Sequence, residues 1–395
     1  MTEQTSAAHP ERIQWRSISA AIASISVVGI AIGLGTPLLS IILESRGHSA
    51  SMIGLNSAVA GIASIAAAPL ATPLAARLGV VPTMLLAIFA GAAAFVGFHF
   101  SPYFWMWFPL RAILHIALTI LFILSEFWIS TSAPPHRRGL VLGIYATVLS
   151  LGFAVGPWIF SIIGSGGFLP FGVTCVLVTI AAIPVFLARK ESPRLSLGGS
   201  TRGFLRYTWL VPTATAAVLV FGAVETGGFT LFPVYGNRIG YSEGDAALLL
   251  TMIGLGNVIL QIPIGMLSDR VRDRRWLLLA CAAVGLVGTV AIPFVAGNWY
   301  VLAGLLFVWG GVVAALYTVG LAHLGSQLSG HDLASANAAF IFCYGIGMIL
   351  GPQTIGLGMD LFGAHGFSWA LAIFFACYVV LAASRLLVGR GKVSG

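Results

Sequence analysis

The sequence predicts an all-α membrane protein whose twelve transmembrane helices form two pseudo-symmetric six-helix bundles. Three observations support this fold class: the composition, twelve long apolar stretches, and a repeat that relates the two halves. Of the 395 residues, 58% are hydrophobic and only 8% are charged, whereas a soluble domain typically carries about 25% charged residues. This composition excludes a soluble enzyme.

Apolar stretches of about 20 residues are long enough to cross the hydrocarbon core of a bilayer as helices. The chain contains twelve, named α1 to α12 in order, at about 18–43, 51–74, 82–100, 103–128, 139–163, 168–188, 209–235, 245–267, 276–295, 299–326, 334–358 and 367–388. The first stretch is too long, and has the wrong flanks, for a cleaved signal peptide. We therefore expect it to remain as a transmembrane helix.

The basic residues mark one side of the predicted membrane protein. An even number of helices puts both termini on the same side, and the segments on that side hold 17 of the 20 Arg and Lys residues. The opposite loops hold only Arg46 and Arg238, while Arg111 lies inside α4. This bias predicts a multi-pass protein of the cell inner (plasma) membrane with both termini in the cytoplasm. It also explains the net charge of +8 without a nucleic-acid partner.

A repeat relates the two halves of the chain. The segment 43–47 at the end of α1 matches 236–240 at the end of α7, at an offset of 193 (240 minus 47). A Gly-x-x-x-Gly-Pro motif recurs at an offset of 195 (351 minus 156), as Gly152, Gly156 and Pro157 in α5 and Gly347, Gly351 and Pro352 in α11. Such similar offsets predict a duplicated six-helix unit. We expect bundles at 1–188 and 209–395, joined by a polar cytoplasmic linker at 189–208.

The loop between α8 and α9 carries a specific motif, Gly265-Met266-Leu267-Ser268-Asp269-Arg270-Val271-Arg272-Asp273-Arg274-Arg275. It resembles the signature loop of the major facilitator superfamily, G-x-x-x-D-R-x-G-R-R, with Arg272 in place of the glycine. The equivalent loop after α2 keeps Arg77 but has Ala76 in place of the signature aspartate. The resemblance covers essentially the whole chain. It implies the major facilitator fold, a transport function and a monomer.

By this resemblance, charged residues on the cytoplasmic face form a gate. In relatives, such residues hold the closed state together, and ion pairs at a gate must break when the two halves rock apart. The resemblance and the positions of the charges implicate Gly265, Asp269, Arg270, Arg77, Arg138 and Glu126. The alternative is a set of static surface ion pairs, which contribute little to stability.

The Gly-x-x-x-Gly-Pro motif of α5 also resembles a motif that marks proton-driven antiporters in the family, which implies export. Small residues four positions apart equally let helices pack closely, and Pro157 permits a bend. Because α11 carries the same motif, helix packing is the alternative interpretation.

A few ionisable side chains lie well inside predicted membrane helices, where a charge costs at least about 3 kcal/mol. Arg111 and His115 lie one turn apart on α4, and Glu225 lies near the middle of α7. The resemblance implies that α1, α4, α7 and α10 line a central cavity and that Arg111 takes part in proton coupling. Glu225 has no cationic neighbour in its own helix, so burial disfavours its charged form and we expect it to carry protons. An ion pair with Arg111 is the alternative, and His115 is interpreted first as a hydrogen-bonded core histidine.

Uncharged polar residues at cavity depth are candidates to orient a solute: Asn56, Asn257, Gln261, Tyr145, Tyr317, Asn337 and Tyr344. The alternative is that their side chains form hydrogen bonds with backbone groups of the helices. With so few buried charges, the cavity is expected to be mostly apolar. This favours an amphipathic or weakly charged organic solute.

Other function classes lack their motifs. The chain has no G-x-x-x-x-G-K for ATP, and no H-E-x-x-H or clustered Cys and His for a metal, so no cofactor or metal is expected. An intramembrane enzyme or a signalling protein would need a catalytic constellation or an effector domain, and the loops are too short for one. We therefore expect proton-coupled export of a small solute across the lipid bilayer. A proton-coupled uptake symporter or a facilitator is the alternative.

Overall fold

The computed structural model describes residues 15–132, 138–193, 203–328 and 330–391. Within these ranges, twelve helices are long and apolar enough to cross a membrane, which confirms the predicted number. They are α1 Trp15–Ser45, α2 Ala50–Leu78, α3 Val80–Phe100, α4 Trp107–Ser132, α5 Arg138–Ile163, α6 Leu169–Ile180 with Ala182–Leu187, α7 Pro212–Arg238, α8 Glu243–Arg270, α9 Arg274–Val295, α10 Trp299–Gln327, α11 Gly330–Phe362 and α12 Gly366–Gly391.

Helix α6 was expected to be continuous over 168–188, and the structure divides it at Ala181. The second piece contains Pro184, which has no backbone N–H to donate to the carbonyl of Ile180. The missing hydrogen bond explains why the helix is interrupted at this turn.

Short connections separate most of the helices. Helix α2 begins where Ser49 accepts a hydrogen bond from the backbone N–H of Met52, and α10 begins where Asn298 caps two backbone N–H groups. Only Gly79 separates α2 from α3, with a φ of +94° that residues with a side chain rarely adopt. Successive helices therefore run antiparallel. The N-terminus of α1 and the C-terminus of α12 lie at one end of the bundle, called the terminal end below. The opposite end is called the far end.

The Gly-x-x-x-Gly-Pro motifs pack helices together within each half. A side chain at Gly152 or Gly156 of α5 would place its Cβ 2.5 Å from the backbone of α1, at Gly29 or Gly33. In α11, a Cβ at Gly351 would meet the backbone of α7 at Ala223 just as closely. The two halves therefore use the same device at equivalent places, which agrees with the packing interpretation of the motif.

The two halves contact each other through α2 against α11 and α5 against α8. Near the far end these interfaces are too close to admit a side chain. A Cβ at Gly54 would meet the carbonyl oxygen of Pro352, and one at Gly254 would lie 2.7 Å from the backbone nitrogen of Ala154. Further toward the terminal end, a Cβ at Gly143 or Gly265 would meet nothing within 4 Å. The tightest packing between the halves is thus in their far-end portion.

Candidate functional site

Two small adjoining cavities lie near the middle of the protein, one between the two halves and one lined mainly by the C-terminal half. The polar cavity, of about 30 Å³, is lined by Thr36, Ser57, Arg111, His115, Glu225 and Tyr344, among others. The aromatic cavity, of about 40 Å³, is lined by Phe221, Trp309, Asn257 and neighbouring apolar residues. Phe153, Glu225 and Phe229 line both cavities, so the two spaces meet at these three side chains. The structure therefore brings Arg111, His115 and Glu225 to one place.

Arg111 is a buried cation with an incomplete set of partners. Its side chain is only 1% exposed. The Nε group donates to Oδ1 of Asn56 on α2 over 3.1 Å, and the guanidinium carbon lies 6.0 Å from the centre of the Phe98 ring. Its Nη2 atom has no hydrogen-bond partner among the described residues. The guanidinium thus keeps a free donor beside the polar cavity.

Glu225 lies at the midpoint of α7 and binds a neighbour from α11. Its Oε2 atom accepts a hydrogen bond from the Tyr344 hydroxyl over 2.5 Å. The Tyr344 ring stacks against Phe221 and meets Tyr317 edge-on, with ring centres 6.2 Å apart in both pairs. The described ion pairs do not join Glu225 to Arg111. The two groups share a cavity without contacting each other, which differs from the ion-pair alternative.

The other predicted polar residues have different surroundings. Asn56 is fully buried and accepts a hydrogen bond from Arg111. His115 is 7% exposed and lines the polar cavity. Tyr145 packs in the N-terminal half, where its hydroxyl bonds to that of Ser125 over 2.9 Å. Gln261 is half-buried on α8 and lines neither cavity. Asn56 and His115 are therefore at the site, while Tyr145 and Gln261 line neither cavity.

Sequence reasoning missed several residues at the cavities. Ser57 and Thr230 join α2 to α7 by a buried hydrogen bond of 2.7 Å across the two halves. Trp309 on α10 and the Phe153–Phe229 pair, with ring centres 5.2 Å apart, form the aromatic wall. Small hydroxyl and aromatic residues are common throughout membrane helices, so only knowledge of helix rotation could have selected these.

The signature loop is paired within itself. Arg274 contacts Asp269 at 3.4 Å, and the Asp269 side chain is 80% exposed. Asp273 starts α9 by accepting from the backbone N–H of Arg275, and it pairs with the Arg275 side chain at 2.8 Å. Hydrogen bonds from the Arg275 side chain lower the pKa of Asp273. In this conformation the loop resembles an ordinary surface cluster of ion pairs.

The remaining gate candidates lie at the terminal end. Arg77, Arg270 and Glu126 are exposed there. Residues 133–137 and the side chain of Arg138 lie outside the described part of the structure, so the expected contact between Arg138 and Glu126 stays a prediction.

Among the described residues, polar contacts between the halves are concentrated at the far end. Arg238 at the end of α7 donates to Glu44 at the end of α1 over 3.0 Å and lies 3.9 Å from Asp360 at the end of α11. Asp360 in turn accepts from the backbone N–H groups of Ala50 and Ser51, at the start of α2, over 3.0 and 2.9 Å. We call Glu44, Arg238 and Asp360 the far-end lock.

Asp360 also fits its position electrostatically, because the N-terminus of a helix stabilises a negative charge. Nearby, Ser165 donates through its backbone and hydroxyl to Glu243 at the start of α8. These contacts tie α1, α2 and the α5–α6 loop of one half to α7, α8 and α11 of the other. The far end is therefore closed by polar contacts in addition to close packing.

Known proteins resemble this chain over nearly its full length. A family model described as Major Facilitator Superfamily matches residues 21–253 and 214–394. The uncharacterized MFS-type transporter YfkF of Bacillus subtilis is 29% identical over 346 residues, which cover 86% of this chain and 87% of that protein. The uncharacterized MFS-type transporter YcaD of Escherichia coli is 23% identical over 354 residues, which cover 88% and 90%.

Solved structures show the same fold. A bacterial homologue of the human lysosomal transporter Spinster superposes with a TM-score of 0.77 at 15% identity, covering 95% of this chain and 96% of that one. The nucleoside transporter NupG superposes with a TM-score of 0.76 at 14% identity, covering 95% and 98%. Together with the twelve membrane helices and the family-model match, these similarities establish that the chain belongs to the Major Facilitator Superfamily and is a membrane transporter.

Proposed function

We propose that this protein is a proton-coupled secondary transporter of a small organic solute, with Glu225 as the proton carrier. The observation that carries the proposal is the position of Glu225, which is an acid at the midpoint of a membrane helix in a cavity between the two halves. A carboxyl at bilayer depth is costly to keep charged and marks a functional group. Its surroundings supply the Tyr344 hydroxyl and, around the same cavity, Arg111 and His115.

Transport by rocking of the halves 1–188 and 209–395 fits the shape of the site. Cavities of 30 to 40 Å³ hold a few waters, so an organic solute requires the halves to separate. With the far end closed, the halves would separate at the terminal end. We propose that the terminal end is cytoplasmic, because most basic residues lie there, and that a monomer in the bacterial inner membrane is the working unit.

Export by proton antiport is the first candidate for the direction, and it rests on the resemblance of the α5 motif. The geometry of Arg111 favours a second candidate, proton symport. An ionised Glu225 would be a second anion in the cavity that Arg111 lines, where it would repel an anionic solute bound to Arg111, and protonation of Glu225 removes this repulsion. A solute that uses Arg111 would then bind together with the proton, and the two would move in the same direction.

The test is solute-evoked proton movement in liposomes that contain the purified protein and a trapped pH-sensitive dye. Under the proposal, adding a transported solute to liposomes that start at equal pH inside and outside causes protons to cross the membrane. Protons that move with the solute indicate symport, and protons that move against it indicate antiport. Labelled solute that crosses without any proton movement would contradict coupling and leave a facilitator.

A further inference from the structure

The two cavities differ in chemistry and meet at Glu225. Arg111, His115, Ser57 and Thr36 give the polar cavity hydrogen-bonding groups, whereas Phe221, Phe229 and Trp309 give the aromatic cavity flat apolar walls. A single solute that spans both spaces would need a polar head group and an apolar body. The arrangement thus favours an amphipathic molecule whose polar head group lies in the polar cavity and whose apolar body lies in the aromatic cavity.

Arg111 determines the charge of the head group. It is 1% exposed, and buried charges are normally paired with an opposite charge. Its only described hydrogen-bond partner is the neutral amide of Asn56. Both Nη2 of Arg111 and Nδ2 of Asn56 lack a hydrogen-bond partner among the described residues. These are donors, and a guanidinium donor is matched best by a carboxylate, which accepts charge-assisted hydrogen bonds in a planar geometry.

The acid at the junction of the cavities is consistent with this choice. Glu225 is engaged by the Tyr344 hydroxyl, and in its protonated form it adds no negative charge to the site. The site then carries a net positive charge, because the guanidinium of Arg111 is not neutralised. A cationic solute would meet Arg111 without compensation, whereas an anionic solute neutralises it.

We propose that the transported solute is a small organic carboxylate with an aromatic or similarly flat apolar body. Its carboxylate binds the guanidinium of Arg111 in the polar cavity, and its apolar body lies against Phe229 and Trp309 in the aromatic cavity. Asn56 acts as a positioning residue that orients Arg111. This inference rests on the proposed function, because it takes the two cavities as the transport site.

The experiment compares three probes of similar size on the purified full-length protein: phenylacetate, the uncharged phenylacetamide and the cationic phenethylamine. Binding is measured by isothermal titration calorimetry. We expect phenylacetate to bind wild type at least about tenfold more tightly than phenylacetamide, and phenethylamine to bind most weakly. A tenfold ratio corresponds to the loss of one moderate polar interaction.

Two variants separate binding by Arg111 from a structural role. Asn56→Asp places a carboxylate beside the guanidinium, which keeps Arg111 in position but neutralises it, and it is expected to remove the preference for phenylacetate. Arg111→Lys keeps the charge and is expected to retain part of the preference. Size-exclusion chromatography checks that each variant is folded, and the ranking in wild type tests the proposal even where a variant does not fold.

Failure of phenylacetate to bind best in wild type, including binding of none of the probes, would overturn the substrate class. An unchanged ranking in folded Asn56→Asp would overturn the role of Arg111. Neither result affects proton coupling, because solute-evoked proton movement tests it separately with solutes of every charge.

Discussion

Replacing Glu225 by Gln is expected to uncouple solute movement from the proton gradient. A pH difference of one unit corresponds to about 1.36 kcal/mol per proton, so coupling to one proton supports roughly a tenfold solute concentration ratio across the membrane. Glutamine keeps the size of the side chain and an acceptor for the Tyr344 hydroxyl, but it carries no proton. The gradient-driven ratio should therefore fall to about one, while exchange of labelled for unlabelled solute continues.

The matched control for this change is Glu126→Gln, which removes an acid near the terminal end of α4. Glu126 is exposed at the terminal end and lines neither cavity. A role in the gate would change the rate of transport but not the final concentration ratio, so its loss should leave the gradient-driven ratio intact. Accumulation that survives in Glu225→Gln, or that is lost equally in both variants, would remove Glu225 from the coupling mechanism.

Breaking the far-end lock is expected to shift the protein toward a conformation that is open at the far end. Arg238→Gln removes the cation between Glu44 and Asp360. The hydrogen bond that Arg238 donates to Glu44 is charge-assisted. Such bonds contribute about 1.5–3 kcal/mol, so the population of the far-end-open state should rise by roughly ten- to a hundredfold. Thr36 lines the polar cavity. Replacing Thr36 by Cys, in a variant that lacks the four native cysteines, gives a reporter of access from the far end. The rate at which this cysteine reacts with a membrane-impermeant maleimide should rise by the same factor.

Two further variants make this labelling test specific. Arg46→Gln removes a cation at the same end that bonds within one half, to the carbonyl of Ser101, and it should leave the labelling rate unchanged. Asp269→Asn, at the terminal end, should slow far-end labelling if Asp269 holds the opposite gate closed. If Arg238→Gln labels no faster than Arg46→Gln, then the lock does not set the conformational balance.

The sequence was sufficient to predict the number of membrane helices. Hydropathy is summed over about 20 residues, so the prediction does not depend on any single contact. The interruption of α6 at Ala181 depends on one missing backbone hydrogen bond next to Pro184. A hydropathy average does not register such a local effect.

The site could be predicted only in part, for a different physical reason. Arg111, His115 and Glu225 stand out because charged or titratable groups are rare at bilayer depth. Their partners depend on how helices rotate and cross. Asn56 is 55 residues from Arg111, and Asp360 is 309 residues from the backbone of Ser51 that it caps. Nothing in the local sequence records such pairs.

The most direct test of the central claim is whether Glu225 takes up and releases a proton. A protonated carboxyl and a carboxylate absorb at different infrared frequencies, so difference spectra recorded while the medium is made alkaline show proton loss in purified protein, without knowledge of the solute. The account predicts a protonated-carboxyl band in wild type that disappears on alkalinisation and is absent from Glu225→Gln. Identical difference spectra for wild type and Glu225→Gln would contradict it and would assign Glu225 a structural role.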